Sequence, residues 1–257
     1  MKFLILVLSI ALTSCASITK KDITYKVDGV KHTGHIASGA KKAEKKPAVI
    51  IVHEWWGHNE YVKERANKLA KLGYVAMSID MYGNGKQAKH PKDAGAFAKK
   101  ASSNMSLAKK KFTEALKILK NRDDVDSTRI AAIGYCFGGG IVLNMMRMGV
   151  ELDLVASFHG SLSSPLKAKR KKVKVNEVLI FNGADDPMVK GKDITNFKNE
   201  MDNARVKFEF YNYKNAKHAF TNEDATKLGK KFNLPLAYNE DADEDSWEKF
   251  TESLRAL

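Results

Sequence analysis

The feature that most constrains this chain is the stretch Gly134-Tyr135-Cys136-Phe137-Gly138-Gly139-Gly140. Before it runs Arg129-Ile130-Ala131-Ala132-Ile133, short and apolar enough for a buried strand. After it run Ile141 to Met148, which read as a helix closed by Gly149. A strand that turns into a helix through one residue strains that residue, so its neighbours must lack side chains that would clash. Gly134, Gly138 and Gly139 meet this need. The apex is Cys136, and a helix starting there aims backbone N–H groups and a positive dipole end at the sulfur. Strand, glycine-flanked thiol and helix together have the form of a nucleophile elbow with Cys as the nucleophile. The plainer alternative is a buried, inert cysteine in a glycine-rich turn.

The rest of the chain alternates in the same manner. Strands are expected at 23–27 and 31–36 around an Asp28-Gly29 hairpin, then at 47–52, 74–79, 154–158, 177–181 and 207–211. Helices are expected over 60–72, over one long stretch at 93–120, over 192–203, and over 243–257 with Trp247, Phe250 and Leu254 on one face. This order predicts an α/β protein: a doubly wound, mostly parallel sheet with helices on both faces, as one domain over 23–257. No internal repeat or compositional break marks a second domain. The polar clusters fall just beyond the C-terminal ends of strands, the edge where open α/β sheets hold ligands.

A thiol nucleophile needs a base, and the base needs a group to orient it. In the α/β-hydrolase arrangement the chain order is nucleophile, acid, histidine. Cys136, Asp186 and His218 follow that order, each after a strand. Asp185 competes with Asp186, although the spacing from Gly183 to Val189 favours Asp186. A helix-capping turn residue is the plain reading of that aspartate. His53, His58, His90 and His159 are the other histidines considered for the base, and only His218 follows the last strand.

With those residues placed, five segments in order resemble the dienelactone hydrolase family of the α/β-hydrolase superfamily, from Ile23 to Leu257. They are His-Glu-Trp-Trp-Gly at 53–57, Asp-Met-Tyr-Gly at 80–83, Gly-Tyr-Cys-Phe-Gly-Gly at 134–139, Gly-Ala-Asp-Asp-Pro at 183–187 and Lys-His-Ala-Phe-Thr-Asn at 217–222. The resemblance implies a Cys-His-Asp hydrolase of esters or lactones that uses no metal and no organic cofactor. It implies that Glu54 takes the thiol proton when substrate enters. It also implies that the N–H groups of Phe137 and Trp55 form the oxyanion hole. Trp55, Trp56, Tyr82 and Phe220 are the expected pocket walls. Asn84 and Asn222 stand where the family's carboxylate-gripping arginines are described. Neither carries charge, so an uncharged ester, thioester or lactone is expected rather than dienelactone itself.

The chain opens with Met1-Lys2 and an apolar run from Phe3 to Leu12, too short for a stable span, ending in Leu12-Thr13-Ser14-Cys15. This looks like a bacterial lipoprotein signal over 1–14, with lipidation at Cys15 and a tether over 15–22. The expectation is a membrane-anchored lipoprotein facing the periplasm, or a periplasmic protein if the signal is cleaved without lipidation. Cys136 is then the one thiol left without a disulfide partner, which flags a reactive residue. Lys41, Lys42, Lys45 and Lys46 make a basic surface loop, and the net charge of +14 with the Lys/Arg run at 167–174 prompts a nucleic-acid reading. No nucleic-acid motif accompanies that charge, and the run reads better as a solvated loop or as one drawn to anionic lipid head groups near the anchor. Thiol redox chemistry is disfavoured by the absence of a C-x-x-C pair. A non-catalytic binding lipoprotein on the same scaffold is the remaining alternative. The expected partner is a small ester or lactone, and the expected state a monomer.

Overall fold

A computed structural model describes residues 17–39 and 44–257. The signal segment, Cys15, and Lys41 and Lys42 of the basic loop lie outside the described residues. Among the described residues, eight strands form one sheet: β1 (Ile18–Val27), β2 (Val30–Gly39), β3 (Lys46–Val52), β4 (Val75–Ile79), β5 (Val125–Tyr135), β6 (Leu152–Phe158), β7 (Val175–Gly183) and β8 (Phe208–Tyr213). The helices are α1 (Glu60–Lys71), α2 (Pro91–Ser102), α3 (Met105–Lys120), α4 (Phe137–Arg147), α5 (Gly191–Ala204), α6 (Ala225–Phe232) and α7 (Glu240–Arg255).

The strand order is β1-β2-β4-β3-β5-β6-β7-β8. β1, β2 and β4 pair antiparallel in succession, and every pair from β4 to β8 is parallel. The central strands β3 and β5 are apolar at successive positions because both their faces are covered. Val49, Ile51, Ala131 and Ile133 face a layer with Val62, Ala66 and Leu69 of α1 and Phe250 and Leu254 of α7. Ile50, Val52, Ile130 and Ala132 face the opposite layer, with Phe112 and Leu119 of α3, Ile141 and Met145 of α4, and Phe197 and Met201 of α5.

Three local features differ from the sequence expectation. Ile18–Asp22, expected as tether, belongs to β1 and pairs with His35–Gly39 of β2, where the Thr19 and Ser38 hydroxyls hydrogen-bond at 2.9 Å. Lys20 and Lys21 disguise this stretch: they point to opposite faces, and both faces of this end of the edge strand are exposed. The helical stretch at 93–120 is two helices, broken at Asn104, whose side chain accepts the Leu107 N–H at 2.9 Å and so caps α3. The short α6 has no counterpart in the sequence expectation.

Candidate active site

β5 delivers its last residue, Tyr135, to the edge of the sheet, and α4 begins two residues later. Between them Cys136 sits at φ +53°, ψ −114°, a conformation that ordinary L-residues rarely adopt. The turn closes only without side chains at its flanks. A Cβ on Gly138 would lie 2.3 Å from the Val52 carbonyl oxygen, and one on Gly134 would lie 2.1 Å from that of Gly138. The Phe137 N–H, first in α4, has no partner within its helix. Trp55 lies in a turn closed by the Gly57 N–H on the Glu54 carbonyl at 3.2 Å. Among the described residues the Trp55 N–H meets no backbone acceptor.

The structure brings together the thiol, the imidazole and the carboxylate from the ends of β5, β8 and β7. His218 Nε2 lies 3.0 Å from Cys136 Sγ, and His218 Nδ1 lies 2.7 Å from Asp186 Oδ2. Asp186 Oδ1 accepts the Met188 N–H at 2.8 Å, which fixes the carboxylate in its turn. Asp186 is buried, whereas Asp185 points to solvent. A carboxylate only accepts, so Nδ1 carries a proton and Nε2 faces the sulfur. Burial alone would lower the His218 pKa, but the Cys136 sulfur and then Asp186 outweigh it and hold the imidazole well above its ordinary value.

Glu54, at the end of β3, is 2% exposed and accepts the Asn222 side-chain N–H at 2.7 Å. Burial pushes its carboxyl up to about 7, against the opposing pull of Asn222, His218 and Arg65. Asn222 therefore stands on the carboxylate itself, and it does not line the cavity beside Cys136. His53 is fully buried; its Nδ1 donates to the Glu54 carbonyl at 2.5 Å and its Nε2 accepts the Met81 N–H at 3.1 Å.

His159 carries more of the site than its place among rival bases suggested. The Cys136 backbone N–H is shared between the Phe158 carbonyl at 3.0 Å and His159 Nδ1 at 3.1 Å, and with Nδ1 accepting, Nε2 donates to Thr221 Oγ1 at 2.7 Å. The ring also packs edge-on against His218 and Phe220. Burial, followed by His218 and Arg65, holds its pKa well below the ordinary value, so the imidazole stays neutral. The Thr221 hydroxyl bonds Tyr61 at 2.6 Å, and the Thr221 carbonyl accepts from Arg65, which is paired with the buried Asp243. No sequence motif marked this buttress; the one signal was a histidine directly after a strand.

A cavity of about 390 Å³ opens beside Cys136 and His218. Trp55, Phe137 and Ile141 form an apolar wall, and Ser161, Ser163 and Ser164 form part of a hydroxylated one. Among the described residues no Asp, Glu, Lys or Arg lines it. Of the expected walls only Trp55 does so. Trp56 is buried against Ala94, Ala219 and Leu236, and Phe220 is buried behind His159. The Tyr82 hydroxyl donates to the Trp55 carbonyl at 2.8 Å, and Asn84 is an exposed loop residue at φ +58°. Strand-end side chains here turn inward to close the core, while α2, α3 and the loop after β6 supply the walls.

Residues 34–257 match the Dienelactone hydrolase family. The chain belongs to that family. Its relatives include a Saccharolobus solfataricus protein inferred to be a carboxymethylenebutenolidase, 25% identical over 93% of this chain and 99% of the relative. Another is Protein usf of Aquifex pyrophilus, 27% identical over 84% of this chain and 96% of that protein. Among solved structures, a dienelactone hydrolase-like promiscuous phosphotriesterase from metagenomic libraries superposes with a TM-score of 0.86 at 27% identity, over 93% of this chain and 98% of that one. The fold is that of the α/β-hydrolases, and a deep-sea metagenome α/β-hydrolase shares it at 17% identity with a TM-score of 0.65. The dienelactone hydrolase family is one of ester and lactone hydrolases, and the chain is a hydrolase of that kind.

Proposed function

We propose that this member of the dienelactone hydrolase family cleaves small, uncharged esters or lactones through Cys136, His218 and Asp186. The observation that carries the reading is the hydrogen-bonded line of 3.0 Å from Sγ to Nε2 and 2.7 Å from Nδ1 to Oδ2, at the mouth of a cavity that no Asp, Glu, Lys or Arg lines among the described residues. His218 Nε2 takes the thiol proton as Sγ bonds to the acyl carbon. The carbonyl oxygen gains negative charge opposite the N–H groups of Phe137 and Trp55. The C–O bond to the leaving group then breaks, and His218 returns the proton to the departing alkoxide. Water attacks the acyl-thioester, passing its proton to Nε2, and the acid leaves as Sγ is regenerated. Asp186 keeps the imidazole in the required tautomer throughout. Glu54, with its carboxyl near 7, stands behind His218 as a second protonatable carboxyl held by Asn222, while the thiol proton itself passes to His218.

A neutral phosphotriester is a second substrate class, favoured by the promiscuous phosphotriesterase among the similar structures and by the lack of Asp, Glu, Lys or Arg in the cavity wall among the described residues. Export and anchoring through Cys15 complete the reading. β1 enters the sheet at the edge opposite Cys136, which supports an anchor that leaves the cavity mouth clear of the membrane. The test is hydrolysis of a short-chain p-nitrophenyl ester by the purified protein beside Cys136→Ala. Turnover by wild type alone supports the proposal; equal turnover by both refutes the thiol mechanism.

A further inference from the structure

On the other side of the α2–α3 junction lies a second cavity, of about 250 Å³. Tyr82, Phe97 and Leu107 give it an apolar floor, and Lys86, Lys100 and Lys111 bring three ammonium groups to it. We propose that it binds a small amphiphilic carboxylate, with the apolar body on the aromatic floor and the carboxylate among the lysines. This goes beyond the hydrolase reading and does not rest on it.

The charges make the case. Among the described residues no Asp or Glu lines the cavity, and none of the three lysines has a carboxylate within ion-pair distance. Lys111 is half-buried and donates to the Met81 carbonyl at 2.9 Å, which leaves two of its N–H groups for another acceptor. Burial lowers its pKa; Asp80 opposes that and outweighs the smaller like-charge repulsion from Lys100. The Asp80 carboxylate is already engaged by the N–H groups of Tyr82, Gly83 and Gly85 at 2.8, 2.9 and 3.1 Å. An anion placed among the lysines satisfies the partly desolvated Lys111 ammonium, whose one partner among the described residues is the Met81 carbonyl. Lys86 lies over the Phe97 ring at 5.8 Å, joining the cationic rim to the apolar floor. The floor then selects against bare anions, since burying an apolar body adds to the attraction.

The experiment is calorimetric or NMR titration of the full chain with benzoate, beside acetate and benzyl alcohol as head and body alone. Saturable benzoate binding, weakened about tenfold in Lys111→Gln and in the exposed Lys100→Gln, is the expected result. Acetate and benzyl alcohol should each bind at least about tenfold more weakly. Cys136→Ala should leave benzoate binding unchanged, because the two cavities are separate. The proposal is overturned by absence of saturable binding, by wild-type affinity for benzoate in both lysine variants, by acetate binding as tightly as benzoate, or by loss of binding in Cys136→Ala.

Discussion

Glu54 makes a quantitative statement about this protein's stability. Its carboxyl is pushed from the ordinary 4.5 to about 7 by burial, so the folded state holds its proton more tightly than the unfolded state does. The difference corresponds to about 3 kcal/mol. The raised pKa fixes the sign. The contribution is fully present below pH 4.5 and is lost as pH rises through about 7. Glu54→Gln keeps the shape and an oxygen for the Asn222 N–H but cannot ionise. Other groups titrate in the same range, so the informative quantity is the difference between wild type and variant. Urea unfolding from about pH 5 to about pH 8 should show wild type losing roughly 2–3 kcal/mol relative to Glu54→Gln. Parallel stability curves would mean that Glu54 is ionised at ordinary pH, and the reasoning from burial would fail.

Two further substitutions test the elbow and the histidine's support. Cys136→Gly should be more stable than Cys136→Ala by about 1–3 kcal/mol in urea unfolding, because glycine relieves the strain at φ +53°. Asp186→Asn should lower kcat on the order of 10³-fold or more with the fold intact by circular dichroism, since an amide does not hold the Nδ1–H tautomer.

How much could be read in advance depends on whether the deciding contact is local. The elbow at 134–140 announces itself because its glycines answer clashes within a few residues and with the adjacent strand. The parallel strands are legible because burial on both faces leaves unbroken runs such as Ala48 to Val52. Cys136, Asp186 and His218 stand out because each follows a strand, and strand ends converge on one edge. The break at Asn104 is less visible, since it is a single side-chain cap without Gly or Pro to announce it. Ile18–Asp22 becomes strand only through its partners in β2. The pocket walls were the least legible. Ser102, Asn144, Ser161 and Val189 come from separate elements and meet only in the folded chain. Trp56 and Phe220, neighbours of key residues in sequence, are taken up by the core. Asn222 sits at an expected position, yet its use as a donor to Glu54 follows from packing alone.

The central claim is that the Cys136 sulfur carries the acyl group. The direct measurement is intact-mass and peptide-level mass spectrometry of protein quenched in acid during turnover of a p-nitrophenyl ester. The account predicts an acyl adduct on the peptide containing Cys136, formed in step with a burst of nitrophenol and absent from Cys136→Ala. Turnover with no adduct, or an adduct on another residue that persists in Cys136→Ala, would contradict it.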